Sequence, residues 1–179
     1  LCRKHDCLLL LDTVTSLGGV PLYIDEWKVD LAYSCSQKGL SCPPGLGPFT
    51  MGPRAEEKMA TRSGKVPNWY LDVSLLNQYW GSDRVYHHTA PVNMNFGMRE
   101  ALRLLAEEGL DQAWARHRRN AERLWSGLER QGLSMHVPEE RRLPTLTTVR
   151  IPDGVDGKAF SQHLLNTHGI EVGGGLGSL

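Results

Sequence analysis

The chain opens with an apolar block, Cys7-Leu8-Leu9-Leu10-Leu11, closed by an acid, Asp12. A short, wholly apolar run of this kind is the pattern of a strand buried on both faces, as in a parallel sheet. After Gly18-Gly19, the stretches PLYID (21–25) and DLAYS (30–34) read as further strands, and GPFTMGP (47–53) as another, closed by Pro53. From residue 53 the period lengthens. PRAEEKMATRS (53–63) places proline at a first helical position with acids soon after, and LDVSLLNQYW (71–80) reads as a second short helix. A third helix is expected to start with Thr89 as its cap, to carry Met98, Leu102 and Leu105 at helical spacing, and to end at Gly109. Residues 110–133 put Leu110, Trp114, Ala121, Leu124 and Leu128 at three-and-four spacing before Gly132, which predicts one long amphipathic helix with a basic outer face. Alternation then returns: strands at 133–137 and 146–152, a helix at 156–169 and a strand at 170–173.

These elements give an α/β fold class. Residues 1–108 read as the later half of a large, doubly wound domain, and residues 109–179 as part of a small C-terminal α/β domain with antiparallel features. Ligands of such sheets bind beyond the carboxyl ends of the strands, which is where Asp12 and Lys38 fall.

Composition narrows the function classes. The 179 residues carry 20 basic and 20 acidic side chains, so no long-range field draws the chain to nucleic acid or to an anionic membrane. Hydrophobic residues make up 40% of it, yet no apolar run reaches the roughly 18 residues of a spanning helix. The N-terminal apolar block runs into Asp12 without a small-residue cleavage site, so no signal peptide is expected. Cys2, Cys7, Cys35 and Cys42 lack zinc-site spacings, and a chain with this much core needs no disulfide staples; they are expected as thiols of an intracellular protein. With no initiator Met and a terminal GGGLGSL, the sequence reads as a piece of a longer protein.

The chemistry gathers around Asp12 and around Lys38, which sits in the small-residue turn YSCSQKGLSCPPG (33–45). Two different sites are compatible with this pair. In a dinucleotide fold a strand-end acid binds ribose hydroxyls, but the upstream G-x-G-x-x-G turn is lacking. In a pyridoxal-phosphate enzyme the lysine forms an imine with the cofactor aldehyde and the acid keeps the pyridine nitrogen protonated, so that the ring accepts electrons from a bond broken at the substrate's alpha carbon. The lysine must lose its proton to react, which partial desolvation favours. Ser34, Ser36 and Gly39 are expected to leave room for the cofactor. A plainer alternative makes Asp12 a cap and Lys38 a solvated side chain. No metal is expected: His87 and His88, as neighbours on an extended strand, would point to opposite faces. GGGLG (173–177) lacks the context of a P-loop. Trp114 and Trp125 read as packing residues, and nothing marks Cys35 as an activated nucleophile.

Five segments then carry a resemblance: LLLDTVTSLGGVPLYID, YSCSQKGLSCPPG, YWGSDRVYHHTAPV, MREALRLLAEEGL and RLPTLTTVRIP. In this order, and running essentially end to end, they resemble the class V pyridoxal-phosphate aminotransferases. Within that class the resemblance is to alanine–glyoxylate, serine–pyruvate (serine–glyoxylate) and 3-hydroxykynurenine transaminases. It implies a fold-type I transferase that uses pyridoxal 5'-phosphate to move the amino group of alanine or serine to glyoxylate or a related 2-oxo acid. It implies Lys38 as the imine-forming lysine and proton carrier, Asp12 as partner of the pyridine nitrogen, Val14 against one ring face and Gln37 near the phosphate end. It also implies a homodimer in which Tyr86 and Thr89 reach the neighbouring subunit's cofactor phosphate, for which hydroxyls are suited donors.

The same resemblance marks what is missing. The family's substrate-carboxylate arginine would lie beyond Leu179, and its phosphate-binding turn and ring-stacking aromatic in a preceding half. The chain alone is therefore expected to bind the cofactor poorly and to show little transamination. Desulfurase relatives carry His before the lysine, whereas Gln37 precedes Lys38 here, which argues against sulfur chemistry. 3-Hydroxykynurenine transamination, another class V reaction and a truncated, non-catalytic module remain alternatives. Peroxisome, mitochondrion and cytoplasm all stay open.

Overall fold

In the computed structural model, which describes residues 1–175, the N-terminal apolar block yields β1 (Leu10–Asp12). It pairs in parallel with β2 (Leu31–Tyr33), and β2 pairs antiparallel with β3 (Phe49–Met51), giving a mixed sheet in the order β1-β2-β3. The register sets Leu11 against Ala32 and Asp12 against Tyr33. Register partners share a face of the pleat, so the Asp12 and Tyr33 side chains stand side by side. Among the described residues β1 has one neighbour, β2, and Leu10 is 56% exposed, which departs from the expected two-sided burial. The stretch 21–25 is not a strand either. It enters a turn closed by the Trp27 N–H on the Tyr23 carbonyl and the Val29 N–H on the Ile24 carbonyl, so these groups are taken before any ladder can use them.

Two compact units divide the chain, Leu1–Arg118 and Arg119–Leu179. The division falls inside α4 (Leu110–Arg130).

In the first unit a buried acid ties the sheet to the helix that follows it. Asp30, just before β2, accepts the Leu9 N–H at 2.8 Å and pairs with Arg54 at 3.0 Å; Arg54 also reaches Asp6 at 3.2 Å. Arg54 belongs to α1 (Pro53–Ala60), which has proline at its first position, where the missing N–H costs nothing. α2 (Val73–Trp80) is capped by Asp72, whose Oδ1 accepts the Ser74 N–H at 3.0 Å. α3 (Val92–Glu108) begins after Pro91 with no side-chain cap. Thr89 is thus not the cap; its hydroxyl is engaged by Tyr86 instead. Gly109, at φ +83°, separates α3 from α4.

In the second unit the indole N–H of Trp125 donates to Thr147 Oγ1 at 2.8 Å. The Arg142 guanidinium lies 5.5 Å from the same ring and pairs with Glu129 at 2.8 Å. This indole packs as expected, but the buried phase of α4 runs through Ala113, Ala121 and Trp125, while Leu110 and Leu124 are half exposed. The expected strands at 133–137 and 146–152 shrink to a bridge between Met135 and Val149, flanked by His136 N–H to Thr148 and Arg150 N–H to Ser134 carbonyl bonds. A lone two-stranded ribbon has little to hold it beyond these pairs. Residues 170–173 form no strand. α5 (Gly157–His168) is capped by Asp156 and stopped by Gly169 in the left-handed region. Among the described residues, no helix is long and apolar enough to cross a membrane.

Candidate active site

Asp12 is exposed at the tip of β1, and two neighbours fix its carboxylate. The Val14 N–H donates to Oδ1 at 2.8 Å and the Tyr33 hydroxyl to Oδ2 at 2.7 Å. The Tyr33 bond first, and then the Val14 bond, hold the Asp12 carboxyl below its usual range, and the bond to Asp12 pushes the Tyr33 phenol up. The acid therefore stays ionised while the phenol stays a donor. Behind them Thr13 is buried, and its N–H and hydroxyl both donate to the Tyr33 carbonyl, at 2.9 and 2.7 Å. Ser34 returns a bond to the Thr13 carbonyl at 3.0 Å.

Lys38 lies two residues past buried Ser36, in the loop that leaves β2. Its side chain and that of Gln37 are exposed, and the Lys38 ammonium has no hydrogen bond or ion pair among the described residues. Ser34 and Ser36 are both buried and bonded to backbone. Ser36 Oγ donates to the Pro43 carbonyl at 2.7 Å and accepts the Leu46 N–H at 3.3 Å, which cinches the loop at its base. Gly18, at φ +84°, brings the turn after β1 against this loop: a Cβ there would stand 2.9 Å from the Gly39 carbonyl oxygen. α3 braces the other side, with Gly97 facing Cys42 and Met94 facing Gly45.

The Tyr86 and Thr89 hydroxyls are bonded to each other at 2.9 Å, and Tyr86 is 72% exposed. Among the described residues no hydrogen bond joins this pair to Asp12 or Lys38. Next to them the expectation for the histidines fails. Residues 87 and 88 are not in a strand, and their Nδ1 atoms approach to 2.9 Å. His87 is buried, stacked 4.1 Å from Trp69, with Nε2 3.2 Å from the Trp69 carbonyl oxygen. Among the described residues, no group of three or more His, Cys, Asp or Glu side chains is placed to hold a metal ion.

The structure thus joins Asp12, Val14 and, through backbone packing, the Lys38 loop. Tyr86 and Thr89 are bonded to each other and, among the described residues, share no hydrogen bond with them. The Gly-rich segment 173–177 runs beyond the described residues. Tyr33 carries no local sequence signal for a role at this site; its place beside Asp12 follows from the parallel pairing of β1 and β2.

A model of the family described as aminotransferase class-V matches residues 1–178. An alanine–glyoxylate aminotransferase of Drosophila melanogaster is 44% identical over 99% of this chain and 46% of its own length. An (S)-ureidoglycine–glyoxylate transaminase of Bacillus subtilis is 35% identical over 99% of this chain and 47% of its own. The crystal structure of an alanine–glyoxylate aminotransferase from Nostoc sp. superposes with a TM-score of 0.95 at 66% identity, covering 99% of this chain and 47% of that one. The chain spans about half the length of the relatives it matches. The family model and the solved relative agree: the described residues form a partial α/β fold of the fold-type I, pyridoxal-phosphate-dependent kind, and the chain belongs to the class V aminotransferases.

Proposed function

We propose that the whole protein is a homodimeric aminotransferase that moves the amino group of alanine or serine to glyoxylate or a related 2-oxo acid. The observation that carries this reading is the Asp12 carboxylate, held anionic at the strand tip by Val14 and Tyr33, with the following turn packed on the loop of Lys38. The names of the relatives, which act on glyoxylate, support the substrate class.

The residues present fit pyridoxal phosphate. Only two of the roughly four lone-pair positions of a carboxylate are used on Asp12, which leaves an acceptor for a ring N–H. An exposed lysine, with no hydrogen bond or ion pair among the described residues, stands on the adjoining loop. When bound, the cofactor supplies an aldehyde for the amine and a ring that takes up electrons from the alpha carbon. Asp12 would accept the ring N–H and keep that proton in place. Lys38 would hold the cofactor through its amine and carry the proton at the alpha carbon. Val14 would pack against a ring face and Gln37 would hydrogen-bond near the phosphate. The hydroxyls of Tyr86 and Thr89 would donate to the phosphate held by the neighbouring subunit, each giving its single proton once their mutual bond is released. We place residues 1–108 in the large cofactor domain and 109–179 in the small one, and the protein inside the cell with its cysteines as thiols. The activity is assigned to the whole protein; the chain alone is expected to show little of it.

The test uses the full-length protein. It should show a visible absorption band that borohydride removes, and Lys38→Ala should abolish that band. A band that survives the substitution removes Lys38 from its role. Alanine, serine and 3-hydroxykynurenine are then compared as donors to glyoxylate; turnover of none of them overturns the substrate class, and preference for 3-hydroxykynurenine overturns alanine or serine as the donor.

A further inference from the structure

Asp12 could be held by the Val14 N–H alone, as in an ordinary turn in which a side chain bonds the backbone two residues on. The structure adds a second donor from another strand. Tyr33 sits in register with Asp12, and its hydroxyl reaches Oδ2 at 2.7 Å. Its own backbone is clamped, since its carbonyl takes two bonds from buried Thr13, and its neighbour Ser34 bonds Thr13 in return. The phenol therefore projects from a fixed point.

The terminal torsion of an aspartate is broad and roughly two-fold, so one bond at Oδ1 leaves Oδ2 able to swing. A second bond at Oδ2 removes that freedom. It does so without using up the carboxylate, which keeps lone pairs on both oxygens. We infer that Tyr33 is a positioning residue for the cofactor ring: it fixes the Asp12 carboxylate in the orientation that meets the ring nitrogen. This rests on the reading of Asp12 as the partner of that nitrogen. The effect reaches the cofactor only through Asp12, and that is what separates it from a cross-strand contact that merely holds the sheet.

The experiment is a double-mutant cycle in the full-length protein, read as the dissociation constant of pyridoxal phosphate by fluorescence titration, alongside the melting temperature of the cofactor-free protein. Tyr33→Phe should weaken cofactor binding roughly 5–10-fold, the scale of one lost hydrogen bond, and leave the cofactor-free melting temperature essentially unchanged. Asp12→Asn should weaken binding more. On the Asp12→Asn background, Tyr33→Phe should add less than about twofold, because coupled residues do not add. Full additivity overturns the inference, as does a cofactor-free protein whose melting falls in step with its binding. If Asp12→Asn weakens binding and Tyr33→Phe does not, Tyr33 loses its role and Asp12 keeps its own. If Asp12→Asn leaves binding unchanged, the assignment of Asp12 falls and that of Tyr33 falls with it.

Discussion

Replacing Ser36 with alanine tests how the lysine loop is held. Ser36 is fully buried, and its hydroxyl is both donor to the Pro43 carbonyl and acceptor for the Leu46 N–H. Alanine removes both bonds and leaves a carbonyl and an N–H without that partner in a closed space. A stranded buried group costs about 1–3 kcal/mol. The carbonyl, with two lone pairs, falls at the low end of that range, and the N–H bond is already long at 3.3 Å. The sum is about 2–3 kcal/mol. A change of this size lowers the urea midpoint by roughly 1 M. The assay is urea unfolding of the full-length protein followed by tryptophan fluorescence, with Ser126→Ala as control; that exposed hydroxyl bonds only within its own helix, at 3.2 Å to the Arg123 carbonyl, and should stay within about 0.5 kcal/mol. Because the cinched residue lies two positions before Lys38, turnover should fall as well, by about tenfold to a hundredfold, since a 1 Å misplacement of a reacting group costs on that order. A Ser36→Ala protein that unfolds at the wild-type urea concentration would refute the claim that this hydroxyl organises the loop.

Other outcomes follow from neighbouring features. Gly18→Ala combines a left-handed φ of +84° with a Cβ 2.9 Å from the Gly39 carbonyl oxygen, and should cost about 2 kcal/mol in thermal melting, whereas Gly64→Ala, with nothing within 4 Å, should be neutral. Asp30 is held below the usual carboxylate range, first by the Leu9 N–H and then by Arg54 against the opposing effect of burial. A depressed folded-state pKa contributes stability that is present above the unfolded value, ~4, and lost as pH falls through the folded one. Melting temperature should therefore drop below about pH 4, and Asp30→Asn should flatten that acid limb while lowering stability near neutral pH; an unchanged limb removes Asp30 as its source.

The elements that local sequence governs were legible. Pro53 at a helix start and the Gly109 and Gly169 stops act through backbone geometry that needs no distant partner, and the apolar period from 110 to 130 marks the helix, though not which of its residues are buried. Where a residue had two local uses, the sequence could not choose. Thr89 suits a cap, yet Pro91 sets the helix start and Tyr86 claims the hydroxyl. PLYID has strand composition, but its backbone groups are spent on a turn. His87 and His88 meet through Nδ1 because irregular backbone frees them from the alternation of a strand.

The candidate site divides the same way. The sequence by itself singled out Asp12 and Lys38 as the candidates for chemistry, because an acid closing an apolar run and a lysine in a small-residue turn are read directly from residue order, and family motifs sharpen the choice. Only tertiary structure decided what those neighbours do. Ser34 and Ser36 pin backbone, and Tyr33 meets Asp12 because two strands far apart in sequence pair in one register. Such contacts depend on which backbone groups remain unpaired after folding, and a side chain's hydrogen-bond partner is fixed by register and burial, neither of which is a property of a residue and its sequence neighbours.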